Sequence, residues 1–104
     1  MVPALKEHLT LVLKDDARIN ANSPCFTVSA NYTTIQAESV GGAACIPSAD
    51  SNGIDITSSV TTDVTITGLE FIGDAGTDGI HFAGPLANMV LTDNWIHSFK
   101  GDAI

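Results

Sequence analysis

The sequence is short of basic residues. Four Lys and Arg stand against twelve Asp and Glu among 104 residues, which gives a formal net charge of −8 at pH 7. Such a surface repels phosphate backbones, so we expect no nucleic-acid partner. Charged residues of either sign make up only 15% of the chain, while 44% of it is hydrophobic. This composition argues against disorder, and the length fits a single domain.

Long apolar runs are also missing. No stretch reaches the roughly 18 consecutive apolar residues that read as a bilayer-spanning helix, so we expect no membrane span. The first residues, "MVPALKEHLTLVLKDD", lack a basic segment followed by a long apolar segment. No secretory signal is therefore visible in this chain.

Cysteine is scarce as well, since Cys25 and Cys45 are the only two. No Cys-x-x-Cys pair occurs, and two thiols alone make a poor zinc site, so we predict neither a metal site nor a cofactor. The simplest interpretation is a pair of small, buried apolar residues. A disulfide is the alternative, because one turn of a stacked chain can bring the two side by side.

The sequence is rich in Thr, Val and Ile, arranged in short alternating segments that Gly, Asn and Asp separate. This pattern is typical of strands and turns. A short helix is predicted at residues 3–9, with Pro3 in its first turn, and helical periodicity is absent afterwards. Strands are predicted at residues 9–13 and 17–19.

The same pattern recurs along the chain. "NGIDI" begins at Asn52, "DGIHF" at Asp78 and "DAI" at Asp102, in steps of 26 and 24 residues. Between them, "DVTITGLEF" (63–71) recurs as "NMVLTDNWI" (88–96), displaced by 25 residues. A repeat of about 25 residues made of short strands predicts stacked coils.

The repeat is regular over residues 52–104 and looser over residues 1–51. "FTV" (26–28) lies 28 residues before "IDI" (54–56), which suggests an earlier coil, while the register of "YTTIQA" (32–37) stays open. We expect one β-helix domain with irregular coils in its first half.

Stacking is required because a single coil cannot bury its own apolar side. We expect Ile80 to lie over Ile54 and Met89 over Val64, with Asn94 bonding backbone groups at a bend between strands. The residues predicted to point inward are Ile54, Ile56, Val64, Ile66, Leu69 and Phe71.

The segment "NMVLTDNWIHS" (88–98) closely resembles a coil of the right-handed parallel β-helix proteins, the pectin-lyase-like group. The resemblance covers residues 52–104 well and residues 9–51 weakly. It implies an all-β fold, a right-handed parallel β-helix.

Two short motifs resemble those of polygalacturonases of glycoside hydrolase family 28, namely "TDGIH" (77–81) and "GDAI" (101–104). The resemblance implies that Asp78 and Asp102 form an acidic pair, one protonating the leaving oxygen while the other activates water. Gly76 stands where that family has Asn, and Ala103 replaces its second Asp. The simpler interpretation is that both aspartates are turn residues that precede a strand.

Residues that alternate outward indicate candidate partners. We expect Asp55 and His81 in one outer column, and Glu70 and Trp95 in another. An exposed Trp offers a large contact area at little entropic cost. Trp95, His81 and Val90 are therefore the candidate binding residues, for a polysaccharide or a protein.

These patterns favour a non-catalytic β-helix segment of a secreted or cell-surface protein, acting as a scaffold, an adhesive or a glycan-contacting module. The alternative is a fragment of a polygalacturonase-type enzyme acting on acidic polysaccharide. The open coil ends and the exposed flank predict a homo-oligomer.

Overall fold

The computed structural model describes residues 9–20, 24–47, 51–73, 77–101 and 104. These residues contain strands and no helix. The predicted helix at residues 3–9 lies outside this part of the chain, except that Leu9 opens the first strand. The strands are β1 (Leu9–Leu13), β2 (Arg18–Asn20), β3 (Phe26–Val28), β4 (Thr33–Ala37), β5 (Ala43–Ile46), β6 (Ile54–Ile56), β7 (Thr62–Thr67), β8 (Leu69–Ile72), β9 (Ile80–Phe82), β10 (Ala87–Thr92) and β11 (Trp95–His97).

The strands form three sheets. Sheet A has the order β1-β4-β7-β10, sheet B the order β2-β5-β8-β11, and sheet C the order β3-β6-β9. Every pairing among them is parallel. The chain thus visits sheets A, B and C in turn and moves up one strand per coil. Three coils are complete and two strands of a fourth follow, so the protein is an all-β parallel solenoid, as predicted.

The register between coils follows the predicted stacking in sheet C, where Ile54 pairs with Ile80 and Phe26 with Ile54. In sheet A, the paired residues are 24 positions apart from β1 to β4, 31 from β4 to β7 and 25 from β7 to β10. Compared with the next step, most of the extra length lies at the corner between sheets A and B. Gly68 alone separates β7 from β8, whereas residues 38–42 separate β4 from β5.

The core lies between the three sheets. The inward residues predicted from the sequence are all buried there, each at most 2% exposed: Ile54, Ile56, Val64, Ile66, Leu69 and Phe71. Burying one such side chain contributes roughly 1.5–3 kcal/mol. Strand alternation therefore supplies the apolar stack that holds successive coils together.

Asparagine side chains join the coils at corners where the ladder of strand hydrogen bonds is interrupted. The Oδ1 atom of Asn94 accepts a hydrogen bond from the Leu69 N–H at 3.0 Å, and its Nδ2 donates to the Ile66 carbonyl at 2.8 Å. In the same way, Asn31 Oδ1 accepts from the N–H groups of Thr61 and Thr62. These bonds satisfy backbone groups that the bends leave unpaired.

Cys25 and Cys45 form a disulfide, with their Cα atoms 6.0 Å apart. Cys25 directly precedes β3 in the first coil, whereas Cys45 lies in β5 of the second coil. Both side chains belong to the apolar interior, where neighbouring coils come within bonding reach. The alternative interpretation of the two cysteines therefore replaces the simpler one of two buried thiols.

Candidate functional site

The three candidate binding residues lie on three different outer faces. Val90 is in β10 of sheet A, Trp95 in β11 of sheet B and His81 in β9 of sheet C. Trp95 is 62% exposed and Val90 is 43% exposed. Because the solenoid turns a corner between its sheets, the structure does not bring these residues onto one sheet face.

Around Trp95, sheet B carries a cluster of polar and aromatic side chains. Trp95 pairs with Glu70 of the adjacent strand, as the alternation predicted. His97, two residues further on, points to the same face, and its Nε2 lies 2.8 Å from Glu70 Oε2. The Trp95 and His97 rings stack with centroids 4.1 Å apart and planes 28° apart. The exposed indole is therefore supported by a hydrogen-bonded imidazole.

Ser98 extends this cluster. Its Oγ lies 3.0 Å from Nδ1 of His97. A carboxylate only accepts hydrogen bonds, so a neutral His97 carries its proton on Nε2, facing Glu70. Nδ1 is then the acceptor for the Ser98 hydroxyl. The sequence predicted the outer column of Glu70 and Trp95 but not this hydrogen-bonded series.

Gly73 positions the turn at Ser98. The Gly73 N–H donates to the carbonyl of His97 at 2.9 Å. A Cβ atom at Gly73 would lie 2.5 Å from the Ser98 carbonyl oxygen and 2.6 Å from the Cα of Phe99, so only glycine fits this close approach. A cavity of about 210 Å³ opens beside the turn, lined by Ile96, His97, Ser98, Phe99 and Gly101.

A second histidine and carboxylate pair lies on sheet C. His81 Nδ1 is 4.0 Å from Asp55 Oδ1, in the column that the alternation predicted. Asp55 Oδ1 also accepts a bond from Asn52 Nδ2 at 2.6 Å. Both side chains of this pair are more exposed than His97 and Glu70 are. Within the described residues, no hydroxyl group bonds His81, so this pair lacks the third member found on sheet B.

The outer face of sheet A is uncharged along two columns that run across four strands. Hydroxyl and methyl groups dominate it, and Thr92 Oγ1 donates to Thr67 Oγ1 at 2.9 Å. The columns are Thr10, Thr34, Thr65 and Val90, and Val12, Gln36, Thr67 and Thr92. Val90 therefore belongs to an uncharged column, and Asp63 of β7 lines the groove beside it.

Asp78 lies in the turn that precedes β9. Its N–H donates to Asn52 Oδ1 at 3.2 Å, and its carbonyl accepts from the Gly53 N–H at 2.9 Å. Its carboxylate packs closely against Gly101, where an added Cβ would overlap it. Asp102 lies outside the described residues, so an acidic pair of Asp78 and Asp102 stays a prediction.

Among the described residues, no three His, Cys, Asp or Glu side chains come together as a metal site. The described part of the chain also holds no helix of the length and apolarity that a bilayer crossing needs. Comparison with known protein families, with curated proteins and with solved structures finds no match.

Proposed function

We propose that this chain is a glycan-contacting β-solenoid module of a secreted or cell-surface protein, which holds a polysaccharide without cleaving its glycosidic bonds. The observation that carries the proposal is the exposed Trp95 on the outer face of sheet B, stacked on His97. An indole held in one orientation loses little conformational entropy when a sugar ring stacks on it.

The surroundings of Trp95 favour a neutral sugar. Glu70 lies beside the indole, and its carboxylate can accept hydrogen bonds from hydroxyl groups in addition to the one from His97. The net charge of −8 repels an acidic polymer. A neutral polysaccharide can place the apolar face of one sugar on Trp95 and a hydroxyl against the Glu70 carboxylate.

The disulfide supports a location outside the reducing cytosol. Cross-links of this kind form and persist in oxidising compartments. The bond between Cys25 and Cys45 joins two coils of the scaffold. This agrees with a secreted or surface protein, in which the solenoid presents its flank to a glycan.

The polygalacturonase-type alternative has less support. It depends on Asp78 and Asp102 acting across a bound sugar, and the two motifs depart from the family pattern at Gly76 and Ala103. Self-association through the open coil ends or the flank stays a prediction. Light scattering over a hundredfold range of concentration tests it, and a constant monomeric mass would contradict it.

Retention on insoluble neutral polysaccharides tests the binding proposal. We expect Trp95→Ala to weaken retention about tenfold or more, as the loss of a central aromatic contact does. Val90→Ala is the matched control, because it removes an exposed apolar side chain from the same coil but from sheet A. Equal retention of the two variants, or no retention of the parent chain, would contradict the proposal.

A further inference from the structure

Three side chains on sheet B form a hydrogen-bonded series of a kind that activates a nucleophile. Ser98 Oγ lies 3.0 Å from His97 Nδ1, and His97 Nε2 lies 2.8 Å from Glu70 Oε2. A hydroxyl, a base and an acid that orients the base are the parts of a serine-dependent acyl transfer. We propose that Ser98 is a nucleophile and that this site hydrolyses small carboxylic esters.

The order of the bonds favours the tautomer of a neutral His97 that a base needs. Glu70 accepts the Nε2 proton, so the lone pair of Nδ1 faces the Ser98 hydroxyl. Trp95 stacks on the imidazole and restricts its rotation. The base is thus held in the orientation and tautomer that proton abstraction needs.

The backbone at Ser98 turns a corner of the coil. Its φ of 67° lies in the left-handed region, which L residues other than Asn and Asp seldom adopt. Asp93, at another corner of the same coil, shares a positive φ, so this conformation defines the turn and is not peculiar to Ser98. Here the close packing of Gly73 against Ser98 and Phe99 enforces the turn.

The space beside Ser98 fits a small acyl group. The cavity of about 210 Å³ includes Ser98 and His97 in its lining. Within the described residues, the Phe99 N–H makes no hydrogen bond, and it directly follows the nucleophile. A backbone donor in that position can stabilise the oxyanion of a tetrahedral intermediate.

The reaction consists of two proton-balanced steps. Ser98 Oγ attacks the ester carbonyl carbon while its proton moves to His97 Nδ1, and the alcohol then leaves with that proton. Water attacks the acyl-Ser98 ester, His97 again takes and returns a proton, and the carboxylic acid is released. The assignment of the alcohol as a sugar hydroxyl, as in an O-acetylated glycan, rests on the proposed function. The ester cleavage does not depend on that function.

Hydrolysis of p-nitrophenyl acetate by the whole chain tests the site. We expect Ser98→Gly to lower the rate about 100-fold, because it removes the nucleophile and with it the proton transfer to the general base. Glycine adopts the left-handed conformation readily, so this variant keeps the turn. His81→Ala is the control for hydrolysis by an exposed imidazole, and we expect it to retain the parent rate.

Two further measurements assign the roles. Glu70→Gln should lower kcat and leave KM unchanged, because it disturbs only the orientation of His97. An alkyl fluorophosphonate should form a phosphorus–oxygen bond to Ser98 Oγ with loss of fluoride, and peptide mapping locates the label. A full rate in Ser98→Gly, an equal loss in His81→Ala, or a label elsewhere would overturn the proposal. Retention of the glycan by Ser98→Gly is expected to equal that of the parent chain. A failure of the esterase proposal can therefore be distinguished from a failure of the glycan-binding proposal.

Discussion

The inner and outer coils place equivalent residues in different surroundings. Leu11, Ile35, Ile66 and Leu91 occupy one inward column of sheet A. Leu11 in the first coil is 38% exposed, whereas Ile35 and Ile66 in the second and third coils are 3% and 0% exposed. The side chains are similar, so the difference comes from the neighbours. In a solenoid, each coil is buried by the coils on both sides of it.

The largest effect on stability should come from introducing a charge into this column, and two single variants compare an inner coil with the first coil. Ile66→Asp buries a carboxylate without a partner, which costs more than about 4 kcal/mol and should unfold the chain. Leu11→Asp adds the same charge where the side chain is partly exposed, so we expect a folded protein with a lower Tm. Thermal melting followed by circular dichroism compares the two. Equal melting of Ile66→Asp and the parent would show that this inward column is misassigned.

The next effect concerns the covalent link between an outer and an inner coil. Replacing both Cys25 and Cys45 with Ser should lower the free energy of unfolding by about 3 kcal/mol, since the bond closes a loop of 20 residues. Denaturant unfolding with and without a reductant measures it. The parent chain should respond to the reductant and the double variant should not. Identical midpoints for all four samples would contradict a cross-link in solution.

A smaller effect is expected where the fourth coil is bonded to the third. Asn94→Ala leaves the Leu69 N–H and the Ile66 carbonyl without their side-chain partner, at a cost of about 1–3 kcal/mol. Thr92→Val is the control, because it removes only an exposed hydroxyl-to-hydroxyl bond. Hydrogen exchange at the Leu69 amide should accelerate in Asn94→Ala. Unchanged exchange there would show that Asn94 does not protect this corner.

The smallest effect compares two corners that stack on each other. Gly68 of the third coil and Asp93 of the fourth follow the paired Thr67 and Thr92, with φ values of 79° and 56°. Gly68→Ala should cost about 1 kcal/mol, because a Cβ is disfavoured in this conformation. Asp93→Gly should change stability by less than about 0.5 kcal/mol. Chemical denaturation measures both, and a larger cost for Asp93→Gly would reverse this comparison.

Much of the fold could be predicted from the sequence, because the repeat shows both the length of a coil and which side chains point inward. The stacking of Ile80 on Ile54 follows from the 26-residue step, and the bend at Asn94 follows from its place between inward residues. The register of residues 32–37 could not be predicted. The extra residues 38–42 lengthen the step to the next strand of sheet A to 31 positions, which hides the period.

The candidate site was only partly predictable. Alternation placed Trp95 beside Glu70 and His81 beside Asp55. It did not show that Val90, Trp95 and His81 belong to different sheets, because corners are not visible in a two-residue period. The bond between His97 and Ser98 depends on a turn that Gly73 of the neighbouring coil holds, so it arises only once the coils are stacked.

The loop at residues 38–42 makes this solenoid a natural display scaffold. Its two ends are fastened to different coils, because the Glu38 N–H donates to the Leu13 carbonyl at 2.7 Å and the Gly41 N–H donates to the Gly68 carbonyl at 2.8 Å. Between these anchors, Val40 is 72% exposed. A foreign peptide grafted at Val40 would lengthen a segment that already interrupts the period, so the strands on either side would keep their register.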